Sequence, residues 1–371
     1  MSVSKILFIG PFFDGTGYAN SAINAVIAMH KAGLDVACQN IKLTSQVVDP
    51  PDIIKQLLAK KIDKPTHIIQ NVLPNMMVKY GQAKNIGFFF SETTHFVESG
   101  WHLYLNTMDE VWVSCKESQQ AAISSGVKVP IKVVPIAADE TKYQQIYPPL
   151  TSLKKNRFMF YFIGDFSSRK NVTTLIKAYF RAFSRNDHVV LVLKTFVEGI
   201  SSQDSVNFIK NEIETIKKNM RMYVNIDDYP PIELITNYLT DAEIMAIHET
   251  GDCFVSAECG AAWNLPAFDA FGKGKQVIVN EWGGQNIFIQ NNRDNGHFLI
   301  KSRKVPVYGM ANCGYTGLYT SRQEWYEPDQ YDLETAMVQA FHNNSSNLKF
   351  NSKHILSIEK SGSIYKEILE S

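Results

Sequence analysis

The chain has 371 residues, more than one domain ordinarily needs and enough for two that each bury a substantial core. Its 45% apolar and 20% charged residues are a globular composition and exclude a disordered chain. Lys plus Arg and Asp plus Glu both number 37, and this balance gives no reason to expect a nucleic acid or an anionic membrane as partner. In chain order, Ile6-Leu7-Phe8-Ile9 is an apolar run of the buried-strand type. Residues 10–17 form a Gly-rich turn, residues 18–32 carry apolar groups at helical spacing, and Gly33 closes that helix. A second strand opens at Val36-Ala37-Cys38. The rhythm continues with a helix over 52–61, strands over 67–70, 86–90 and 110–114, a helix over 117–125 and a strand over 131–135.

Residues 147–155, with Pro148, Pro149 and Lys154, read as a linker. A second cycle follows: strand 158–163, helix 171–183, strand 189–193, a long polar helix, strand 222–225, helix 241–248, strand 253–256, helix 266–271 and strand 277–279. Residues 343–361 are mostly polar, and 364–369 read as a short terminal helix. Alternating strands and helices imply an α/β chain of parallel sheets with right-handed crossovers. Two such runs imply two Rossmann-like, doubly wound domains, 1–150 and 151–345, followed by a tail or helix over 346–371. Ligands of such folds bind beyond the carboxyl ends of the strands, here in a cleft between facing domains.

The five cysteines, Cys38, Cys115, Cys253, Cys259 and Cys313, match no zinc spacing and are expected to be reduced thiols of a cytoplasmic protein. Residues 1–9 are too short for a signal peptide, and no run reaches about 18 apolar residues, so any membrane contact is expected to be peripheral. Lys55, Lys60, Lys61 and Lys64 could rest on a membrane, although a solvated helix is the commoner meaning of such a pattern.

Three constellations can carry chemistry. In the first, Gly10 to Gly17 follow a strand and open a helix, so Gly15 and Gly17 would let backbone amides approach a phosphate; the alternative is a plain tight turn. In the second, Gly164-Asp165-Phe166-Ser167-Ser168-Arg169-Lys170 follows the first strand of the second half, and Lys194 ends the next strand. Basic groups at neighbouring strand ends would neutralise a diphosphate leaving group, the alternative being a solvated loop. In the third, Glu258 through Asp269 spans a strand end, a loop and a helix started by Pro266, with Asp269 placed to hold ribose hydroxyls or simply to face solvent.

This third segment resembles the retaining GT-B glycosyltransferases, in particular glycosyltransferase family 4. Trp263-Asn264-Leu265-Pro266 is similar to the family's aromatic-x-Leu-Pro core, Asp269-Ala270 stands where it has Glu-Ala, and Gly274-Lys275-Gln276-Val277-Ile278 is similar to its following strand. Upstream, residues 164–170, 239–244, 133–139 and 109–118 resemble further family segments in the same order. Two departures stand out: Ala261 aligns with the family's first loop Glu, for which Glu258 is the candidate substitute, and Asp165 replaces an Arg whose role would pass to Arg169.

The resemblance implies a hexosyltransferase acting with retention of configuration. A UDP- or GDP-linked sugar would bind the second domain, with Lys170 and Arg169 on its phosphates, Asp269 on its ribose, and Glu258, Trp263, Asn264 and Leu265 lining the donor site. The acceptor, a glycan, protein, lipid or small molecule, would bind the first domain. Front-face attack assisted by the leaving phosphate needs no protein nucleophile. Domains joined near 147–155 would close on the donor. Glu92 and His95 follow the 86–90 strand and would orient the acceptor or contact the sugar, or they are ordinary loop residues; Glu281-Trp282-Gly283-Gly284 would line the same pocket or form a turn.

No Asp-x-Asp, His-Glu-x-x-His or Cys-x-x-Cys occurs, so no metal or other cofactor is expected to be required. Ala261 keeps open a second reading, a catalytically silent GT-B subunit that binds an acceptor or a partner transferase. A nucleotide-sugar epimerase of the same fold is a third.

Overall fold

Apolar runs bounded by Gly, Pro, Asn and Ser become the strands of two parallel sheets in a computed structural model that describes residues 4–44, 47–290, 292–311, 317–343 and 356–371. The chain divides into two units. The first holds the described residues up to 140 together with 317–323 and 356–371. It begins β1 (Lys5–Gly10), α1 (Gly17–Lys31), β2 (Asp35–Asn40), α2 (Asp52–Ala59), β3 (His67–Asn71) and β4 (Lys84–Phe88). It continues α3 (Trp101–Leu105), β5 (Glu110–Val113), α4 (Lys116–Ser124) and β6 (Ile131–Val133). The strands order β2-β1-β3-β4-β5-β6 and pair in parallel throughout. The order therefore reverses between β1 and β3. Lys55 of α2 pairs with Asp49 and Asp52, and Lys60, just past its end, with Asp35.

The second unit holds described residues 141–311 and 324–343. Its elements are α5 (Thr141–Gln144), α6 (Thr151–Lys154), β7 (Phe158–Ile163), α7 (Val172–Ala182), β8 (Val189–Lys194), α8 (Ser202–Met220) and β9 (Ile232–Ile235). They continue α9 (Asp241–Thr250), β10 (Cys253–Val255), α10 (Leu265–Gly272), β11 (Gln276–Asn280), β12 (His297–Ile300), β13 (Ser302–Pro306), β14 (Glu324–Pro328) and α11 (Gln330–Asn343). The parallel sheet orders β12-β11-β10-β7-β8-β9, so its reversal lies between β7 and β10. Val172, Leu175, Ile176, Tyr179 and Phe180 share the inner stripe of α7 at helical spacing and bury against Phe160, Leu191 and Leu193 of the sheet. The chain closes on α12 (Ile358–Glu370), which packs on α1 in the first unit.

Three local expectations change. Residues 222–225 are not a strand: the helix before them ends on Arg221 in the left-handed conformation, φ 52°, and Val224 projects fully into solvent. The edge strand comes later, at β9, after Pro230-Pro231. Residues 147–155 are tied down, with a helical turn at α6, Leu150 N–H donating to Thr250 Oγ1 at 2.8 Å and Lys154 paired to Asp252 at 2.6 Å. The terminal helix is 13 residues long, because Ile358, Tyr365 and Leu369 give it a buried face.

Candidate functional site

Where strand order reverses in a parallel sheet, the loops leaving adjacent strands diverge and open a crevice at their carboxyl ends. In the second unit those are the loops after β7 and β10, which carry residues 164–171 and 256–264. Lys170 Nζ reaches Glu258 Oε2 at 2.6 Å, and Arg169 lies 3.7 Å from the same oxygen. Arg169 also donates to the Gly260 carbonyl at 2.9 Å, and the Cys259 amide donates to the Arg169 carbonyl at 2.7 Å. Side chain and backbone together clamp the two loops. Glu258 is 1% exposed, and its Oε1 is buried without a protein partner. A buried carboxylate oxygen is costly to leave unbonded, so Oε1 stands at the clamp as an acceptor without a protein donor.

Asp165 stands in the same field. Burial acts to raise its carboxyl, but the Arg169 guanidinium and the Lys170 ammonium hold it below the ordinary carboxylate range. Lys194 ends β8, 8% exposed, with its ammonium 5.6 Å from the Phe196 ring centre and no carboxylate paired to it among the described residues; burial lowers its pKa. The Cys259 thiol is pushed up to about 12 by burial, which disfavours its thiolate.

The 256–264 loop is held from further sides. The Tyr326 amide donates to the Cys259 carbonyl at 2.9 Å, and Asn280 Nδ2 donates to the carbonyls of Glu258 and Tyr326 at 3.0 and 2.6 Å. The Gly284 amide donates to the Ala261 carbonyl at 3.0 Å. Neither Asn280 nor Gln285, whose Nε2 braces the turn after β11 on the Asn280 and Trp282 carbonyls, is singled out by sequence. Trp282 stacks on Tyr326 at 4.9 Å.

The other donor-binding candidates take mixed positions. Trp263 is 3% exposed, its ring packed on Phe268 and Phe288 at 5.3 and 5.4 Å. Asn264, at φ 63°, caps α10 by accepting from the Ala267 amide, while its Nδ2 is buried without a protein partner. Leu265 opens α10 half-buried. The Asp269 carboxylate is engaged by Lys142 at 2.6 Å and by the Tyr143 hydroxyl at 2.8 Å.

Gly15 and Gly17 belong to the first unit, beside the reversal point of its sheet, where the hydroxyl of Thr16 between them caps α1. Asp14 anchors this turn, accepting from the Leu43 amide at 2.8 Å. In the loop after β4, Glu92 Oε2 accepts from the Tyr319 hydroxyl at 2.8 Å, and His95 Nδ1 lies 3.0 Å from Thr94 Oγ1. Cys313 lies outside the described residues. Among the described residues, no three or more His, Cys, Asp or Glu side chains group to hold a metal ion, and no helix is long and apolar enough to cross a membrane.

No family model matches the chain, and no curated protein does. Solved structures do. HepE from Anabaena, in complex with UDP and glucose, matches with a TM-score of 0.62 and 13% identity over 99% of this chain and 100% of its own. The trehalose-6-phosphate synthase OtsA gives 0.63 and 11% over 99% of each chain, as does an E. coli structure bound with UDP-2-fluoro glucose. The chain has the GT-B fold. TarM from S. aureus, in complex with fondaparinux, α-GlcNAc-glycerol and UDP, matches at 0.55 and 13% over 82% of this chain, which spans 55% of TarM. In GT-B terms the Lys170–Glu258 clamp lies at the sheet reversal of the second Rossmann-like unit, and Glu92 beyond β4 of the first.

Proposed function

We propose that the chain is a retaining glycosyltransferase of the family-4 type, metal-independent and cytoplasmic, moving a hexose from a UDP- or GDP-linked sugar to an acceptor hydroxyl. The observation that carries this reading is the clamp of Lys170, Arg169 and Glu258 at the reversal point of the second sheet. An ammonium has three N–H donors, and Lys170 spends one on Glu258. The others, with Arg169 and the buried ammonium of Lys194, would offset the charge that develops on a leaving diphosphate. Glu258 Oε1 would accept a hydroxyl of the donor hexose, the task that Ala261 cannot perform. Asp269 would reach ribose by exchanging its bond to Lys142 or Tyr143. The GT-B structures of HepE with UDP and glucose and of the E. coli protein with UDP-2-fluoro glucose support this donor class.

In the reaction the acceptor oxygen attacks the anomeric carbon on the face that the diphosphate leaves. The bond to the phosphate oxygen breaks, and that oxygen takes the acceptor proton. Purified protein should be melted with UDP, GDP, ADP and their sugars, with magnesium and with chelator. One nucleotide at about 100 times its Kd should add about 2.7 kcal/mol of stability, unchanged by chelator. Lys170→Ala should abolish that response and lower transfer about 100-fold or more.

A second reading, a silent subunit, is favoured by the Lys170–Glu258 pair itself, which neutralises both charges, together with Ala261. It calls for nucleotide binding, or none, without donor hydrolysis or transfer by the chain alone.

A further inference from the structure

Residues 317–323 lie between β13 and β14 of the second half of the chain, yet they belong to the first unit. Two contacts fix them there, and a third closes the segment on itself. Leu318 packs against the cluster that contains Phe89, Phe96 and Trp101. Gly317, at φ +76°, passes so close to the Glu98 carbonyl that a side chain would overlap it. Gln323 is fully buried, and its Oε1 accepts from the Thr320 amide at 2.9 Å. Between these anchors Tyr319 is held at φ 59°, a left-handed conformation that bulky residues rarely adopt. Strained backbone of this kind persists where the surroundings impose it, and it clusters at ligand sites.

From this position the Tyr319 hydroxyl donates to Glu92 Oε2 at 2.8 Å. Glu92 is half-buried and has no cation and no other hydrogen-bond partner among the described residues. A neutral phenol fixes the direction of a carboxylate without cancelling its charge, and it leaves Oε1 to accept from elsewhere. The same turn carries the Thr94 hydroxyl and His95 and begins at Phe90, whose ring meets Tyr18 edge-on at 4.7 Å. A carboxylate aimed by a hydroxyl, with the Thr94 hydroxyl and His95 in the same turn, suits the hydroxyl donors of a neutral polyol.

We propose that Tyr319 is the positioning residue of an acceptor-sugar subsite in the first unit, aiming Glu92 Oε1 at a hydroxyl of a neutral carbohydrate. This rests on the proposed function for its role in transfer, but not for the binding itself. The test is a titration of the full chain with glucose, galactose, mannose and N-acetylglucosamine, with and without saturating UDP, read by saturation-transfer NMR or calorimetry. At least one neutral sugar should bind, and Tyr319→Phe and Glu92→Gln should each weaken it about tenfold or more. UDP affinity and the melting curve of Tyr319→Phe should stay at wild-type values. In turnover with a nucleotide sugar, Tyr319→Phe should raise the acceptor KM by more than it lowers kcat. Wild-type protein that binds none of the four sugars overturns the proposal, as does Tyr319→Phe binding with wild-type affinity. Failure of UDP to bind wild-type protein would instead count against the donor site and leave the sugar titration standing.

Discussion

At Asp165 the cost of burying a carboxylate meets the field of Arg169 and Lys170, and the field wins. A folded-state pKa below the unfolded value means that the group contributes stability at pH values above its unfolded pKa. That contribution disappears as pH falls through the folded value, on the acid side of the usual carboxylate range. Asp165→Asn should therefore make acid denaturation shallower, by at most about one proton, or about 1.4 kcal/mol per pH unit, as read from urea midpoints at descending pH. The basic pair was legible in sequence because Arg169 and Lys170 follow a strand end directly, and Glu258 because it precedes a Pro-started helix. Tyr319 was not, since 227 positions separate it from Glu92 and no local pattern links them. Trp263 shows the opposite limit. An aromatic at a loop position reads equally well as a ligand wall or as core, and only its packing on Phe268 and Phe288 separates the two.

Among the elements, strands buried on both faces announced themselves. Phe158–Ile163 and Val189–Lys194 are apolar throughout, apart from the lysine that ends the second. The edge strand β9 did not, because Ile232-Glu233-Leu234-Ile235 is only half-buried, while Met222-Tyr223-Val224 presents an equally apolar run to a turn. Nor could sequence show how closely the turn after β11 approaches the 256–264 loop. At Gly284 an added methyl would overlap the Ala262 carbonyl oxygen and crowd the Trp263 backbone. Gly284→Ala should therefore push the loop away from β11, destabilise the protein by about 1–3 kcal/mol and weaken nucleotide binding in step. Denaturant midpoints and nucleotide titration of the same sample check both. Unchanged binding in a destabilised variant would separate this turn from the site.

For the molecule as a whole, the alternation of strands and helices was enough to foresee two doubly wound units. It was not enough to foresee that the first is assembled from three stretches of chain. α12 closes that unit: the Tyr365 ring stacks on Trp112 at 6.1 Å, and its hydroxyl donates to the Pro135 carbonyl at 3.2 Å. Removing residues 356–371 should lower or abolish the melting transition of the first unit and leave the nucleotide-dependent shift of the second, as seen by calorimetry with and without UDP. Tyr365→Ala should cost about 3–5 kcal/mol in the same transition. The arrangement also sets a timetable. A ribosome finishes the strands of the first sheet by residue 133 but does not make their last covering helix until residue 370. At about 5–20 residues per second, the completed first sheet waits roughly ten to fifty seconds for that helix. The second sheet, complete in strands by residue 300, can mature in the meantime. The half of the protein that is born first is thus the half that is finished last, and its uncovered helix is the surface that a nascent-chain chaperone would meet.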